Sequence, residues 1–136
     1  MSPQTLLKFA LAVFGTVFLL VYPLAIVWPS GWAWQAGPPH DSQYFMMIVG
    51  VYATLGVFLI VAARNPEVHR SLIWFAAWSS VVHGAIMAVQ SMPAEHHAHL
   101  VGDVPALFLV AIVLGALLVW SDAGRGKVAS IQSPVR

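Results

Sequence analysis

Four long apolar segments divide this sequence, and they restrict what the chain can fold into more than any other feature. They cover approximately residues 5–27, 43–63, 71–90 and 100–120. A helix of about 20 mostly apolar residues is long enough to cross the roughly 30 Å hydrocarbon core of a bilayer. The sequence therefore predicts an all-α integral membrane protein, with a four-helix bundle at residues 1–120 and a flexible cytoplasmic tail at 121–136.

The composition agrees with a membrane location and excludes several classes of protein. Only 8% of the residues are charged and 60% are apolar, whereas soluble domains carry about 25% charged residues. Six Lys and Arg face five Asp and Glu, so a basic nucleic-acid-binding module is excluded. The chain has no cysteine, which excludes disulfides, thiolate metal sites and cysteine nucleophiles.

The first apolar segment has a competing interpretation as a secretory signal peptide, because Lys8 precedes an apolar run. The run is about as long as a span and lacks a clear small-residue cleavage site. We therefore interpret it as the first transmembrane helix. Lys8 then lies about one turn inside the span, and its aliphatic chain lets the ammonium reach the headgroups.

The basic residues predict the orientation of the chain in the membrane. In a four-span topology every Lys and Arg falls on the same side, at Lys8, Arg64, Arg70, Arg125, Lys127 and Arg136. Short loops rich in Lys and Arg stay in the cytoplasm. We expect both termini to be cytoplasmic in a multi-pass protein of the bacterial inner membrane.

The connections between the apolar segments carry turn and cap signals. The first outer connection, 28–42, combines three Trp with three Pro, and Trp prefers the headgroup level of a bilayer. Asp41 or Ser42 can cap the second helix. Asn65 and Pro66 form a turn signal that ends this helix. The short connection that follows predicts that helices two and three are antiparallel neighbours.

The third span carries polar residues along one helical stripe, which should face protein. The stripe contains His69, Ala76, Ser80, His83, Met87 and Gln90. An unpaired imidazole or amide in a bilayer is costly, so we expect His83 and Gln90 to find partners on other helices. Small residues allow helices one and two to approach closely, at Gly15, Thr16, Gly50, Thr54 and Gly56.

His83 and Gln90 are candidate cofactor-binding residues, because ionisable residues within spans are often functional. A histidine that only fixes the register of the helix is the alternative. A haem with two histidine ligands would need a second histidine at similar depth in another span, and no other span has one. A pigment or quinone that uses one imidazole stays open.

A second candidate site lies at the outer end of the fourth helix. His96, His99 and Asp103 follow a spacing of three and four residues, so they share one face if the helix begins near residue 93. With His40 they could hold zinc or copper(II), which imidazole and carboxylate ligands suit. Alternatively, Asp103 caps the helix ahead of Pro105 and the histidines form a solvated loop.

Three stretches resemble a known family: NPEVHRSLIW at 65–74, AWSSVVHGAIMAVQ at 77–90 and HLVGDVPAL at 99–107. They look like small four-helix bacterial membrane proteins grouped as a domain of unknown function. The resemblance covers about the carboxyl-terminal two thirds of the chain. It implies a bacterial inner-membrane setting and carries over no activity or catalytic residue.

Two functions remain open from the sequence. An enzyme is less well supported, because the sequence has no Gly-rich phosphate loop and no paired carboxylates within the spans. In the first hypothesis the protein binds a metal ion or a small lipophilic ligand at its outer face. In the second it is a structural or accessory subunit of a larger membrane complex or a homo-oligomer.

Overall fold

All regular secondary structure in the computed structural model, which describes residues 2–28, 37–92 and 98–132, is helical. The α-helices are α1 (Pro3–Leu19), α2 (Val21–Val27), α3 (Gln43–Arg64), α4 (Arg70–Gln90), α5 (Ala98–Val101) and α6 (Asp103–Gln132). A 3-10 turn at Pro39–Asp41 precedes α3. The prediction of an all-α fold is confirmed for this part of the chain.

Three helical segments are long and apolar enough to cross a membrane, at Gln43–Arg64, Arg70–Gln90 and His99–Ala123, and the last of them runs through α5 into α6. Helices α1 and α2 pass the same test together, but they are bent by 58° and would be a fourth, broken span. The described helices are therefore compatible with a multi-pass membrane protein of three or four spans.

Pro23 explains the bend between α1 and α2, which the sequence analysis did not predict. Proline has no N–H, and its ring clashes with the carbonyl four residues earlier, here that of Leu19. Helix α1 ends just before this point: the N–H of Leu20 donates to the carbonyls of Thr16 and Val17, at 3.1 and 3.0 Å, and closes the last turn of α1. The chain then restarts as α2 in a new direction.

Local capping signals set the ends of α3, as the sequence predicts. The N–H of Phe45 donates to the Ser42 side chain at 3.2 Å, so Ser42 is the residue that caps the helix. At the other end, Asn65 adopts an extended backbone ahead of Pro66, and α3 ends at Arg64.

The helix of the fourth apolar segment extends beyond its expected end at residue 120. Helix α6 continues through Trp120 to Gln132, although a tail was predicted from residue 121. Ser121 stays within the helix and donates from its hydroxyl to the Leu118 carbonyl at 2.8 Å. Loss of hydropathy marks the end of an apolar surface, and a helix without a proline can extend past that point.

The helices that pack most closely are not the ones that follow one another directly in the chain. Helix α1 packs mainly on α3 and also on α6, and α4 packs mainly on α6. Helices α3 and α4 also contact each other, but less extensively, so the predicted neighbours are not each other's main packing partners. A short turn fixes the order of two helices, but their side chains decide which surfaces meet. The main core includes Leu11, Leu59, Ile73 and Leu114.

Gly15 and Gly56 mark the closest contact between α1 and α3. A Cβ added to Gly15 would lie 2.7 Å from the Gly56 carbonyl oxygen, and one added to Gly56 would lie 2.6 Å from the Gly15 carbonyl oxygen. The predicted close approach of small residues is confirmed at this pair. At Gly50 an added Cβ meets nothing within 4 Å, so that glycine is not needed for packing.

Candidate functional site

A cavity of about 1090 Å³ lies between α3 and α4, in the space that these helices leave by packing on other partners. Residues of α1, α2, the turn before α3 and the start of α6 also line it. Most lining side chains are apolar, and they include Ile48, Val51, Val82 and Ile86. The cavity therefore lies away from the turn at residues 65–69, which connects α3 to α4.

Tyr52 and His83 join the two walls of this cavity. The Tyr52 hydroxyl and His83 Nδ1 share a hydrogen bond of 2.7 Å between α3 and α4. The Tyr52 ring also makes an edge-to-face contact with Phe18 of α1, with centroids 4.9 Å apart. His83 is half-buried and has found a partner on another helix, as the sequence predicts.

Asp103 contributes a buried carboxylate to the same cavity. Its residue is only 8% exposed, and His99, one turn earlier, is 3% exposed. His99 Nδ1 donates to Asp103 Oδ2 at 2.9 Å. The other carboxylate oxygen, Oδ1, is buried and accepts no hydrogen bond within the described part of the chain.

Gln90 lies at the rim of the cavity and departs from its expected position. Ala76, Ser80 and Met87 of the predicted stripe are buried, and His83 is half-buried, but Gln90 is exposed. The expectation of a buried amide with a partner on another helix is therefore wrong for Gln90. It is the last residue of α4.

The structure places the predicted metal ligands that it describes in two separate pairs. His40 Nε2 lies 3.4 Å from Asp41 Oδ1, and both side chains are exposed; Asp41 also lines the cavity. His99 and Asp103 form the separate, buried pair. No group of three His, Asp or Glu residues that could hold a metal occurs among the described residues. His96 lies outside them, so the predicted zinc or copper(II) site stays a prediction.

Residues 1–133 of this chain match a family of unknown function. The chain belongs to that family, DUF6632. The match confirms the resemblance to a domain of unknown function and extends it from the carboxyl-terminal part to almost the whole chain. No curated protein and no solved structure matches the chain.

Tyr52 is the site residue of this DUF6632 protein that the sequence analysis missed. A phenol within a span needs a hydrogen-bond partner for the same reason as an imidazole does. Tyr52 follows Gln43, the first residue of α3, by nine residues, and His83 precedes Gln90, the last residue of α4, by seven. Both therefore lie at similar distances from the helix ends that are remote from the connecting turn. That correspondence in depth was the available signal.

The chemistry of the cavity in this DUF6632 chain suits the binding of a molecule with a long apolar part. Its walls offer apolar surface, and its polar groups are few and lie at defined positions: the Tyr52–His83 pair within the cavity and the Asp103 carboxylate at the start of α6. Binding sites for small molecules are typically concave and apolar with a few convergent polar groups.

Proposed function

We propose that this protein is a binding module of the bacterial inner membrane that holds a small lipophilic ligand in the cavity between α3 and α4. One observation carries the proposal: an apolar cavity of about 1090 Å³ is lined by a hydrogen-bonded tyrosine and histidine and by a buried carboxylate. Ligand pockets typically have volumes of about 300–1,000 Å³.

The proposed topology has four spans, with α1 and α2 together as a broken first span, and both termini in the cytoplasm. Three described basic residues support it, because Lys8 lines a small pocket beside the 65–69 turn, and Arg64 and Arg70 flank that turn. Short cytoplasmic loops collect Lys and Arg. The ligand cavity would then lie in the outer half of the bilayer.

The packing of the helices supports a stable cavity with an opening toward the lipid. Helix α3 is held by α1 through the Gly15–Gly56 contact, and α4 is held by α6. The two walls are therefore fixed by different partners, and within the described residues one side-chain hydrogen bond joins them, between Tyr52 and His83. A lipophilic ligand could enter between them from the bilayer without unfolding either helix pair.

A cavity-filling substitution tests the proposal. Val82 lines the cavity and is 55% exposed, and Val119, which is equally exposed, lies on α6 outside the cavity lining. We expect Val82→Trp to remove small molecules that co-purify with the protein, as measured by native mass spectrometry and solvent extraction, and Val119→Trp to retain them. Identical small-molecule content in the two variants, or none in the unmodified protein, would contradict the proposal.

A further inference from the structure

The buried carboxylate of Asp103 is the polar group of the cavity that still lacks a full set of partners. Oδ2 accepts a hydrogen bond from His99, but Oδ1 is buried and has no donor within the described residues. A buried acceptor without a donor costs free energy, and a carboxylate costs more than a neutral group. Tyr52 and His83, in contrast, satisfy each other.

The charged groups around the cavity all have the same sign where the structure describes them. Asp103 lies on its inner wall and Asp41 at its mouth, and neither Lys nor Arg is among the described lining residues. The exposed His40 accompanies Asp41 and not Asp103. A ligand that carries a carboxylate or phosphate would therefore meet negative charge without a cationic partner.

We propose that the ligand is an amphiphilic amine whose ammonium group pairs with the Asp103 carboxylate. This inference rests on the proposed function, since it assigns the chemistry of the ligand in the same cavity. The alkyl or aromatic part of the amine would lie along Val51, Val82 and Ile86. A hydrogen bond between an ammonium and a carboxylate is about twice as strong as one between neutral groups, and the amine also supplies the missing positive charge.

His99 does not replace the ligand in this role. If His99 is neutral, the Asp103 carboxylate remains an uncompensated charge at an apolar wall. If His99 is protonated, the pair is neutral, but Oδ1 still has no donor among the described residues. In both cases a donor from the ligand completes the site.

The ligand series that tests this inference uses the unmodified protein. Nonylamine, nonanol and nonanoate are straight chains of nine carbon atoms each and differ in the head group. Calorimetry in phosphatidylcholine discs, corrected with empty discs, should give at least about tenfold tighter binding for the amine than for the alcohol, with nonanoate weakest. Because no variant is needed, folding of a mutant does not limit this comparison.

Two substitutions test whether Asp103 causes the preference for the amine over the alcohol. Asp103→Asn should reduce the preference for the amine over the alcohol to within about twofold. Glu67→Gln is the matched control, because it removes an exposed carboxylate from the turn at residues 65–69, which does not line the cavity. It should leave the preference unchanged, and an equal loss in both variants would contradict the role of Asp103.

The outcomes separate this inference from the proposed function. Equal affinity for amine and alcohol would overturn the inference and leave a lipophilic cavity, whereas absence of binding by all three compounds would overturn both. Discs that contain phosphatidylethanolamine test the competing source of the same head group. We expect unchanged nonylamine binding in these discs. Loss of binding would assign the site to a lipid headgroup and overturn the proposal that the ligand is a free amine.

Discussion

Replacing Gly56 with alanine should destabilise the bundle by separating α1 from α3. The added Cβ would lie 2.6 Å from the Gly15 carbonyl oxygen and 3.0 Å from the Leu19 backbone nitrogen. Ordinary contact begins at 3.4 Å, and both neighbours are backbone atoms that cannot rotate away. The helices must therefore move apart by up to about 1 Å, which forfeits a quarter to a half of the dispersion energy of each contact pair.

Two opposing effects set the magnitude of this change. Overpacking of a well-packed contact costs about 1–3 kcal/mol, and replacing a mid-helix glycine by alanine gains about 0.5–1 kcal/mol of helix propensity. Gly50→Ala is the matched control, because Gly50 lies in the same helix and an added Cβ meets nothing within 4 Å. The difference between the two variants therefore isolates the contact.

The assay is reversible unfolding in mixed micelles, followed by the intrinsic tryptophan fluorescence of the bundle. We expect Gly56→Ala to be about 1–3 kcal/mol less stable than Gly50→Ala. Equal free energies of unfolding for the two variants would refute the close contact between α1 and α3 at Gly56.

Three further predictions concern the pair of polar residues, the topology and the outer histidines. His83→Leu should lower the free energy of unfolding by about 1–3 kcal/mol, because it leaves a partner hydroxyl unpaired. Trp78→Leu, at a residue 63% exposed, should change it less, and equal losses would contradict the inter-helix hydrogen bond. In this cysteine-free chain an impermeant outer thiol reagent should label Ala94→Cys and spare Ser130→Cys, and the reverse pattern would refute the proposed orientation. If the outer histidines bind zinc or copper(II), His99→Ala should abolish stoichiometric binding in calorimetry of tag-free protein, and acidification should weaken binding because protons compete with the metal for its ligands. An unchanged titration would contradict the metal site.

Local signals in the sequence predicted much of the fold. The cap at Ser42 and the stop before Pro66 depend on a few neighbouring residues, so a single sequence is enough to predict them. Hydropathy located the membrane-length segments for the same reason. Pro23 was also visible, and its effect in the middle of an apolar run is the bend that the sequence analysis overlooked.

The cavity could not be predicted in the same way, because it depends on which helices pack together. The stripe on α4 indicates that one face meets protein, but it does not say that the protein is α6 and not α3. The close contact at Gly56 draws α3 onto α1 and so leaves space beside α4. His83 was found as a residue that needs a partner, whereas Tyr52 emerged only from the structure.

Photolabelling in a bilayer tests most directly whether the space between α3 and α4 is a ligand site. Two pairs of residues with matched exposure supply an internal control: Val51 and Ile112 are each 67% exposed, and Val82 and Val119 are each 55% exposed. Only Val51 and Val82 line the cavity. A long-chain amine that carries a diazirine, mapped by peptide mass spectrometry, should label these two residues far more than their matched counterparts, and excess nonylamine should suppress that labelling. Equal labelling within each pair, insensitive to excess nonylamine, would show that this surface meets bulk lipid and would contradict the ligand cavity.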